Sequence, residues 1–593
     1  MRARPLKRAH LRRRTSPFVT AAYGSYAAFL RARPSCTWTF LSGLALRRRL
    51  TFAGAFFILV LLFAGNSLGQ QATDIGLAPK VNDAAVGARL AAAASLERWD
   101  VPGAREALAR LGDSREPGDL LLRSRLAHHA GEYAEAVRLL GLLPPAFSSQ
   151  EQVAAYARLA EASLAVDGRL AALESEHFVL RFDPERDGVL AEPALEALEA
   201  GCRTIGGWLG ERTPGKVRVE IAPFAEDFER VSGLARQEIE NAGAVGVSAF
   251  NKIVVLSPRL LARGYPWRDT LNHEYLHYLL VRASANRAPI WLQEGVARYG
   301  EARWRSPDSA PLDDIDRSLV ARALRENSLI PFSAMDPSLA RLPSRGAVRL
   351  ASAECVLAVE YLLERWQVDG LRRVLAALAA EAEHRGPEPA LQASIGEPLA
   401  RFEDGWRQML EKRGYREVPG LVIPAYHLAA RGEAAAWDLD EWQPLAAQNH
   451  LRLGDLLRAR GNARAGLMEY EKACTLAPAS PYARVKAARA LLELGRAPAA
   501  AVAAREAVRL GGGYPAANVV LAAALATTGD HEGEAAALRE ALELNPFDPF
   551  VWRDLGRALR HLGRAEEAQR ASVTALRLVP GDEAFMRSVM QGE

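Results

Sequence analysis

Cysteine, histidine and aromatic residues are all scarce in this 593-residue chain. It contains 4 cysteines and 11 histidines, and aromatic residues make up 7% of it. The cysteines are far apart and form no C-x-x-C pair, which excludes a disulfide framework; the pattern allows one disulfide, but it favours buried free thiols and indicates no zinc ligand among them. Few aromatics beside abundant Ala, Leu and Arg favour a mainly helical protein, and the length predicts several domains.

Acidic residues are absent from the first 50 positions. That segment holds 12 arginines and lysines and no Asp or Glu. The other 63 basic residues are set against all 71 acidic ones, so the rest of the chain carries a net charge of −8. This balance gives the folded part no electrostatic reason to bind nucleic acid, and we expect no nucleic-acid partner.

A basic leader, residues 1–49, precedes an uncharged apolar run from Leu50 to Gly65. The length of this run lies between that of a signal-peptide core and that of a full membrane span. We predict that residues 50–69 are either a signal-peptide core, with small residues for cleavage at 67–69, or an uncleaved anchor that contacts the membrane through residues 50–65. Either alternative exports the remainder, anchored facing the periplasm or extracellular side, or released there.

Against the scarcity of histidine, one motif is conspicuous: H-E-x-x-H at positions 273–277, inside a helical stretch. His273 and His277 are about one helical turn apart, so both imidazoles lie on one face and can reach the same metal ion. Glu274, beside the first ligand, is placed to take a proton from metal-bound water, as in zinc peptidases. The motif therefore predicts a zinc site.

A second motif, W-L-Q-E-G-V-A-R-Y, follows at 291–299. Catalytic zinc usually takes three protein ligands and keeps a fourth position open. Glu294 supplies the third ligand if the chain turns before Pro289 and a second helix folds back on the first. Together the two motifs resemble those of the gluzincin superfamily, the peptidase-MA-like zinc metalloproteases.

The resemblance covers roughly residues 174–415 and implies a gluzincin-like domain, in which a small sheet is followed by a ligand helix. It implies one Zn²⁺ ion and hydrolysis of peptide bonds by Glu-assisted attack of zinc-bound water. The general base is then Glu274, and the metal ligands are His273, His277 and Glu294.

Alternating apolar residues predict strands at 177–182 and 216–221, and a hairpin over 245–256 that turns at Asn251. In gluzincins the edge strand before the zinc helix pairs with the extended substrate, so the resemblance implies this role for part of 242–256. Aminopeptidases of the superfamily carry a G-x-M-E-N motif there. This chain has G-A-V-G-V at 243–247, without an acidic residue, which favours an endopeptidase.

Sites of this kind usually add a donor that stabilises the oxyanion in the transition state. Tyr299 is our candidate for this donor, with Tyr278 and Tyr361 as alternatives, although core packing is the commoner role of such side chains. Many peptidase-MA-like domains begin the helix after the zinc site with Ala-Tyr. The corresponding stretch, 349–355, has Ser352 at the tyrosine position, so either another residue is the donor or activity is weak.

Metal-bound histidines usually donate their second N–H to a carboxylate or a carbonyl. Asp269, one turn before His273, lies on the right face for this, but it fits equally well as a first-turn helix acid. For Arg298 and Glu301 the helical spacing predicts a solvated ion pair.

Small residues recur every 34 positions near the C-terminus, a period typical of tetratricopeptide repeats (TPRs). Small side chains allow close helix packing, and the prolines of the pattern end each second helix. We predict four repeats within 445–585, preceded by a linker at 416–444, and a degenerate TPR-like helical domain at 84–170. The recurring residues are Gly454, Ala488, Ala522 and Gly556; Gly461, Gly495, Gly529 and Gly563; and Ala473, Ala507, Ala541 and Ala575.

Three functions fit these observations. The first is an exported or membrane-anchored zinc metallopeptidase whose repeats bind substrate or a partner protein. The second is a non-catalytic TPR scaffold with a structural or vestigial zinc site, because stacked repeats are generally interaction surfaces. The third is a zinc hydrolase that acts on a non-peptide bond, since the ligands alone do not identify the scissile bond.

Overall fold

The structure is a computed structural model that describes residues 83–591, apart from positions 214, 307–311, 381–385, 422–427, 429–443 and 512. Helices predominate in the described part, and five short strands form a single sheet there. The prediction of a mainly helical protein is thus confirmed. The basic leader and the apolar segment 50–69 lie outside the described residues. Among the described residues, no helix has the length and apolar character to cross a membrane.

Six helices form the N-terminal portion. Alanines at their contacts, such as Ala92 and Ala104, are fully buried and allow neighbouring helices to approach closely. At Tyr133 this portion contacts the sheet, because the phenol donates to Glu220 at 2.8 Å. The six helices are α1 (Asp83–Glu97), α2 (Val101–Ala109), α3 (Pro117–His129), α4 (Tyr133–Leu140), α5 (Pro145–Ser148) and α6 (Glu151–Asp167).

The sheet follows, in the order β1-β2-β3-β5-β4. The central strands β2, β3 and β5 are parallel to one another, and both outer strands run antiparallel to their neighbours. The apolar residues of β5 are all buried, as expected of a central parallel strand. The strands are β1 (Ala171–Glu174), β2 (Phe178–Phe182), β3 (Val217–Ala222), β4 (Gly246–Ala249) and β5 (Lys252–Leu256).

Ten helices accompany and follow the sheet. Three of them, α7 (Ala191–Leu209), α8 (Ala225–Ser232) and α9 (Arg236–Ala242), lie between the strands. After β5 the chain continues in α10 (Trp267–Ala283), α11 (Ile290–Gly300), α12 (Asp314–Glu326), α13 (Phe332–Met335), α14 (Arg345–Ala380, broken at Gln367), α15 (Pro387–Ile395) and α16 (Leu399–Arg413). One large hydrophobic core joins these helices to the sheet. The cysteines at 202, 355 and 474 are free thiols.

The C-terminal portion consists of paired antiparallel helices in register with the 34-residue period. The alanines at 473, 507, 541 and 575 are fully buried or nearly so, and the glycines at 461, 495, 529 and 563 have positive φ in the turn within each pair. The helices are α17 (Leu445–Ala459), α18 (Ala463–Leu476), α19 (Pro481–Glu493), α20 (Ala497–Leu510), α21 (Pro515–Thr528), α22 (His531–Leu544), α23 (Pro549–His561), α24 (Ala565–Leu578) and α25 (Glu583–Gln591).

Candidate metal centre

Helix α10 presents the two histidines of the H-E-x-x-H motif. Its other face is apolar and fully buried, with Leu271, Tyr275 and Leu276 in the core between the sheet and α7. This anchoring leaves the side chains of His273 and His277 slightly exposed, at 17% and 14%. The face of α10 that carries the histidines is therefore fixed by the packing of the opposite one.

Helix α11 brings Glu294 to the histidines. It starts directly after Pro289, where the sequence predicts a helix start, and it packs closely on α14. A side chain at Gly295 would place its Cβ 2.4 Å from the carbonyl oxygen of Cys355, so only glycine permits this approach. The glycine next to the proposed ligand therefore sets the position of α11.

The structure brings the three predicted ligands together. Three ligand atoms lie within 4.8 Å of one another, one each from His273, His277 and Glu294. The two Nε2 atoms are 3.1 Å apart, and each is 3.8 Å from a carboxylate oxygen of Glu294. Ligands of a tetrahedral zinc ion at 2.0–2.1 Å are separated by roughly 3.3 Å, so these atoms fit one Zn²⁺.

The electrostatics of the cluster also suit a cation. Burial lowers the pKa of His273, but the hydrogen bond to Glu301 and the surrounding carboxylates outweigh it and raise the pKa to about 9. Burial and the neighbouring His273 hold the pKa of His277 well below its usual value, and burial raises the pKa of Glu294. Positive charge is thus favoured on His273, whereas His277 is held neutral, the form in which an imidazole binds a metal ion.

Glu274 lies beside the cluster and is held by the edge strand β4. The Ser248 hydroxyl has two acceptors on Glu274, the backbone carbonyl oxygen at 2.6 Å and the carboxylate at 2.9 Å. A Cβ at Gly246 would lie 2.7 Å from Glu274 Oε1, so the strand approaches the carboxylate closely. Burial raises the pKa of Glu274 to about 7, and a cation nearby would lower it again.

The carboxylate that orients His273 is Glu301, for which the helical spacing predicts a solvated ion pair with Arg298. Glu301 Oε2 lies 2.9 Å from His273 Nδ1, whereas Arg298 is 3.9 Å from the other carboxylate oxygen. Glu301 is seven residues after Glu294, which places both on one face of the helix after two turns. That spacing is the sequence signal that could have identified it.

Asp269 is the first-turn acid of α10, one of the two roles weighed for it, and it is not the carboxylate that binds His273. Its carboxylate binds Arg305 through two hydrogen bonds of 2.9 and 2.7 Å and accepts a third from the Trp304 indole at 2.8 Å. It thus joins the first turn of α10 to the segment after α11, and Glu301 takes the position beside His273.

The tyrosine candidates make other contacts. Tyr299 stacks on Trp208 with ring centroids 5.9 Å apart. The phenol of Tyr278 donates to the Asn251 side chain at 2.9 Å, and that of Tyr361 accepts from Arg365 at 2.5 Å. The assignment of Tyr299 as the oxyanion donor stays a prediction.

Ser352 lies on α14, the helix on which α11 packs. Its neighbour Arg349 donates at 2.7 Å to Asp316, a carboxylate that also contacts Arg298 at 3.4 Å. The same helix thus carries Ser352 and, three residues earlier, an arginine that binds a buried carboxylate.

Part of the repeat array matches a known family. Residues 537–570 match the tetratricopeptide repeat family, which confirms the prediction of such repeats. No curated protein sequence matches the chain. Because TPRs are protein-interaction modules, the match indicates that this chain binds a protein partner.

Several solved structures resemble the chain weakly. MamA from Desulfovibrio magneticus is 15% identical, covering 25% of this chain and 92% of its own, with a TM-score of 0.23. YrrB, described as a TPR protein with an unusual peptide-binding site, is 14% identical, covering 40% and 97%, with a TM-score of 0.23. Yeast Tom70 is 13% identical, covering 86% and 89%, with a TM-score of 0.23. TM-scores this low support no further conclusion, and none of these matches bears on the metal centre.

Proposed function

We propose that this protein is a zinc-dependent metallopeptidase whose repeats bind its substrate or a partner protein. The observation that carries the proposal is the convergence of His273, His277 and Glu294 on one point, with the buried carboxylate of Glu274 beside it. Two imidazoles and a carboxylate form the ligand set of many catalytic zinc sites. The resemblance of the two motifs to those of gluzincins suggests the reaction, which is hydrolysis of peptide bonds.

Each residue of the site then has a defined task. When bound, zinc supplies a Lewis acid that activates water and polarises the scissile carbonyl. Glu274 accepts the proton of the attacking water and delivers it to the departing amine. Ser248 keeps the Glu274 carboxylate in place through its hydrogen bond of 2.9 Å. Glu301 fixes the ring of His273 so that its Nε2 faces the metal.

Strand β4 is the proposed binding site for the substrate backbone. In the described part of the sheet, β4 pairs with β5 on one side and ends the strand order on the other. An extended peptide can add to such an edge through main-chain hydrogen bonds. Ser248, on β4, contacts Glu274, so a peptide on this edge lies next to the proposed base. The G-A-V-G-V stretch supplies no carboxylate for a free amino terminus, which supports an endopeptidase.

We also propose that the protein acts outside the cytoplasm. This rests on the basic leader and on the apolar segment at 50–69, which fits either a cleaved signal or an anchor. Protease accessibility of the repeats in spheroplasts, together with a search for the protein in the released fraction, tests this, because an exported protein is digested or released while the cytoplasmic membrane is intact.

The Glu274→Gln variant tests the proposed activity. We expect purified wild-type protein to contain about one zinc per chain and to cleave fluorescein-labelled casein. The variant should keep its zinc and lose cleavage, because an amide cannot accept the proton. Glu534→Gln, which changes a similarly buried carboxylate in the repeats, serves as the control and should keep both properties. Wild-type protein that binds zinc and cleaves nothing would count against a peptidase.

A non-catalytic scaffold is the second candidate, and the match of residues 537–570 to the TPR family favours it. This match supports protein binding more directly than it supports hydrolysis. The two candidates differ in their response to Glu274→Gln. A scaffold keeps its cellular role in this variant, whereas a peptidase loses it.

A further inference from the structure

The third repeat contacts the first turn of the metal-ligand helix. The amide of Tyr265, just before α10, donates to the carbonyl oxygen of Leu544 at the end of α22, at 3.0 Å. Gly264 has φ +62, and a Cβ there would lie only 1.7 Å from that carbonyl oxygen. The repeat helix therefore approaches the backbone that leads into α10 as closely as a glycine permits.

Glu543 makes the main polar contact between α22 and α10. Its side chain is only 4% exposed. One carboxylate oxygen accepts from the backbone amide of Arg268 at 3.2 Å, and the other accepts from the Arg268 guanidinium at 2.7 Å. Amides in the first turn of a helix have no partner within it, and a negative charge stabilises that end. Glu543 supplies this acceptor from another part of the chain.

The same repeat helix also reaches the segment after α11. Arg305 donates to Glu540 at 3.2 Å while its remaining hydrogen bonds hold Asp269 on α10. Arg305 lies four residues after Glu301, the carboxylate that orients His273. The third repeat thus contacts both chain segments that carry the cluster, at the start of α10 and just past the end of α11.

We propose that Glu543 is a positioning residue of the metal centre, and that the third repeat forms part of its supporting structure. The inference rests on the proposed metal site but not on its peptidase activity. Arg268 is five residues, less than two turns, before His273. A helix transmits a shift of its first turn along its axis, so loosening the contact displaces both imidazoles relative to Glu294, which is on another helix.

Glu543→Gln tests the inference, with Glu534→Gln as a matched control. Both glutamates lie on α22, both are nearly fully buried, and both bind an arginine. The partner of Glu534 is Arg557, within the repeats, whereas the partner of Glu543 is on α10. Zinc affinity of the full chain is measured by competition with a chromophoric chelator, and amide hydrogen exchange is measured on the metal-free protein.

We expect Glu543→Gln to weaken zinc binding about three- to tenfold and to speed amide exchange in the first turn of α10. The control should leave both values unchanged, even though it removes a charge from the same helix. Gly264→Ala, which disturbs the same contact from the other side, should weaken zinc binding in the same direction. Thermal unfolding identifies variants that are merely unfolded. If one of Glu543→Gln and Gly264→Ala fails to fold, the other still tests the same contact.

The possible failures are distinguishable. If Glu543→Gln binds zinc as tightly as the wild type and the control do, the positioning role is overturned and the metal centre is left standing. An equal loss of affinity in both variants also overturns it, because the effect would then be general to the repeats. Wild-type protein without measurable zinc binding overturns the metal centre, and the positioning role with it.

Discussion

Replacement of Glu301 gives a specific test of how the histidine ligands are held. If zinc binds, the Glu301 carboxylate would accept a hydrogen bond from Nδ1–H of His273. This bond leaves Nε2 free for the metal and makes Nε2 a stronger ligand. The 2.9 Å separation between Nδ1 and Oε2 supports this role. Carboxylates in this position typically contribute ten- to a hundredfold in metal affinity, or about 1.4–2.7 kcal/mol.

Glu301→Gln keeps the size of the side chain and one acceptor, so we expect zinc affinity to fall about tenfold, at the lower end of that range. Glu301→Leu removes the acceptor as well and should approach a hundredfold. The chain offers a matched control in Glu199, whose carboxylate lies 2.8 Å from Nδ1 of His177 in the same domain. Glu199→Gln should leave zinc affinity unchanged.

The assay is competition for zinc with a chromophoric chelator at a fixed, neutral pH. Zinc affinities of Glu301→Gln and Glu301→Leu within twofold of the wild type would refute the assigned role of the carboxylate. A comparable loss in Glu199→Gln would show that the effect arises from general destabilisation and would refute it as well. Circular dichroism of each metal-free variant verifies that its helical content is unchanged.

Three further predictions concern the base, a buried carboxyl and the repeats. Gly246→Ala places a methyl group only 2.7 Å from Glu274 Oε1 and should displace the carboxylate, so kcat should fall about ten- to a hundredfold while zinc affinity is retained; steady-state kinetics and chelator competition measure the two. Burial raises the pKa of Glu354 to about 8, so the folded state keeps a proton that the unfolded chain releases from about pH 4.5 upward. Unfolding free energy should therefore fall with rising pH in this window, by up to about 1.4 kcal/mol per pH unit, and Glu354→Gln should remove this dependence in urea melts. Gly454→Val forces a side chain against the ring of Tyr470 and should destabilise the repeats by about 1–3 kcal/mol in thermal unfolding, whereas an unchanged melting temperature contradicts the packing.

The sequence was most informative where chemistry or packing recurs at a fixed spacing. His273 and His277 share a helix face by spacing alone, and the W-L-Q-E-G motif pointed to Glu294 as their neighbour. The 34-residue period of small residues likewise predicted the paired helices, because its alanines lie at close helix contacts and its glycines at 461, 495, 529 and 563 form the turns. These features depend on local geometry, which the order of residues determines directly.

Contacts between distant segments could not be read in the same way. Ser248 reaches Glu274 only because β4 is the edge of the sheet next to α10, and Glu543 reaches Arg268 across 275 positions of sequence. Glu301 was within reach of a spacing argument, but a neighbouring arginine made an ion pair the simpler interpretation. Tertiary packing decides such contacts, and no local pattern encodes it.

The central claim is that His273, His277 and Glu294 bind one zinc ion, and anomalous diffraction at the zinc absorption edge tests it most directly. Crystals of zinc-loaded protein should give one strong peak between the two Nε2 atoms and the Glu294 carboxylate, and crystals of His277→Ala should lose it. A peak elsewhere, or none at this position in protein that contains stoichiometric zinc, would contradict the account.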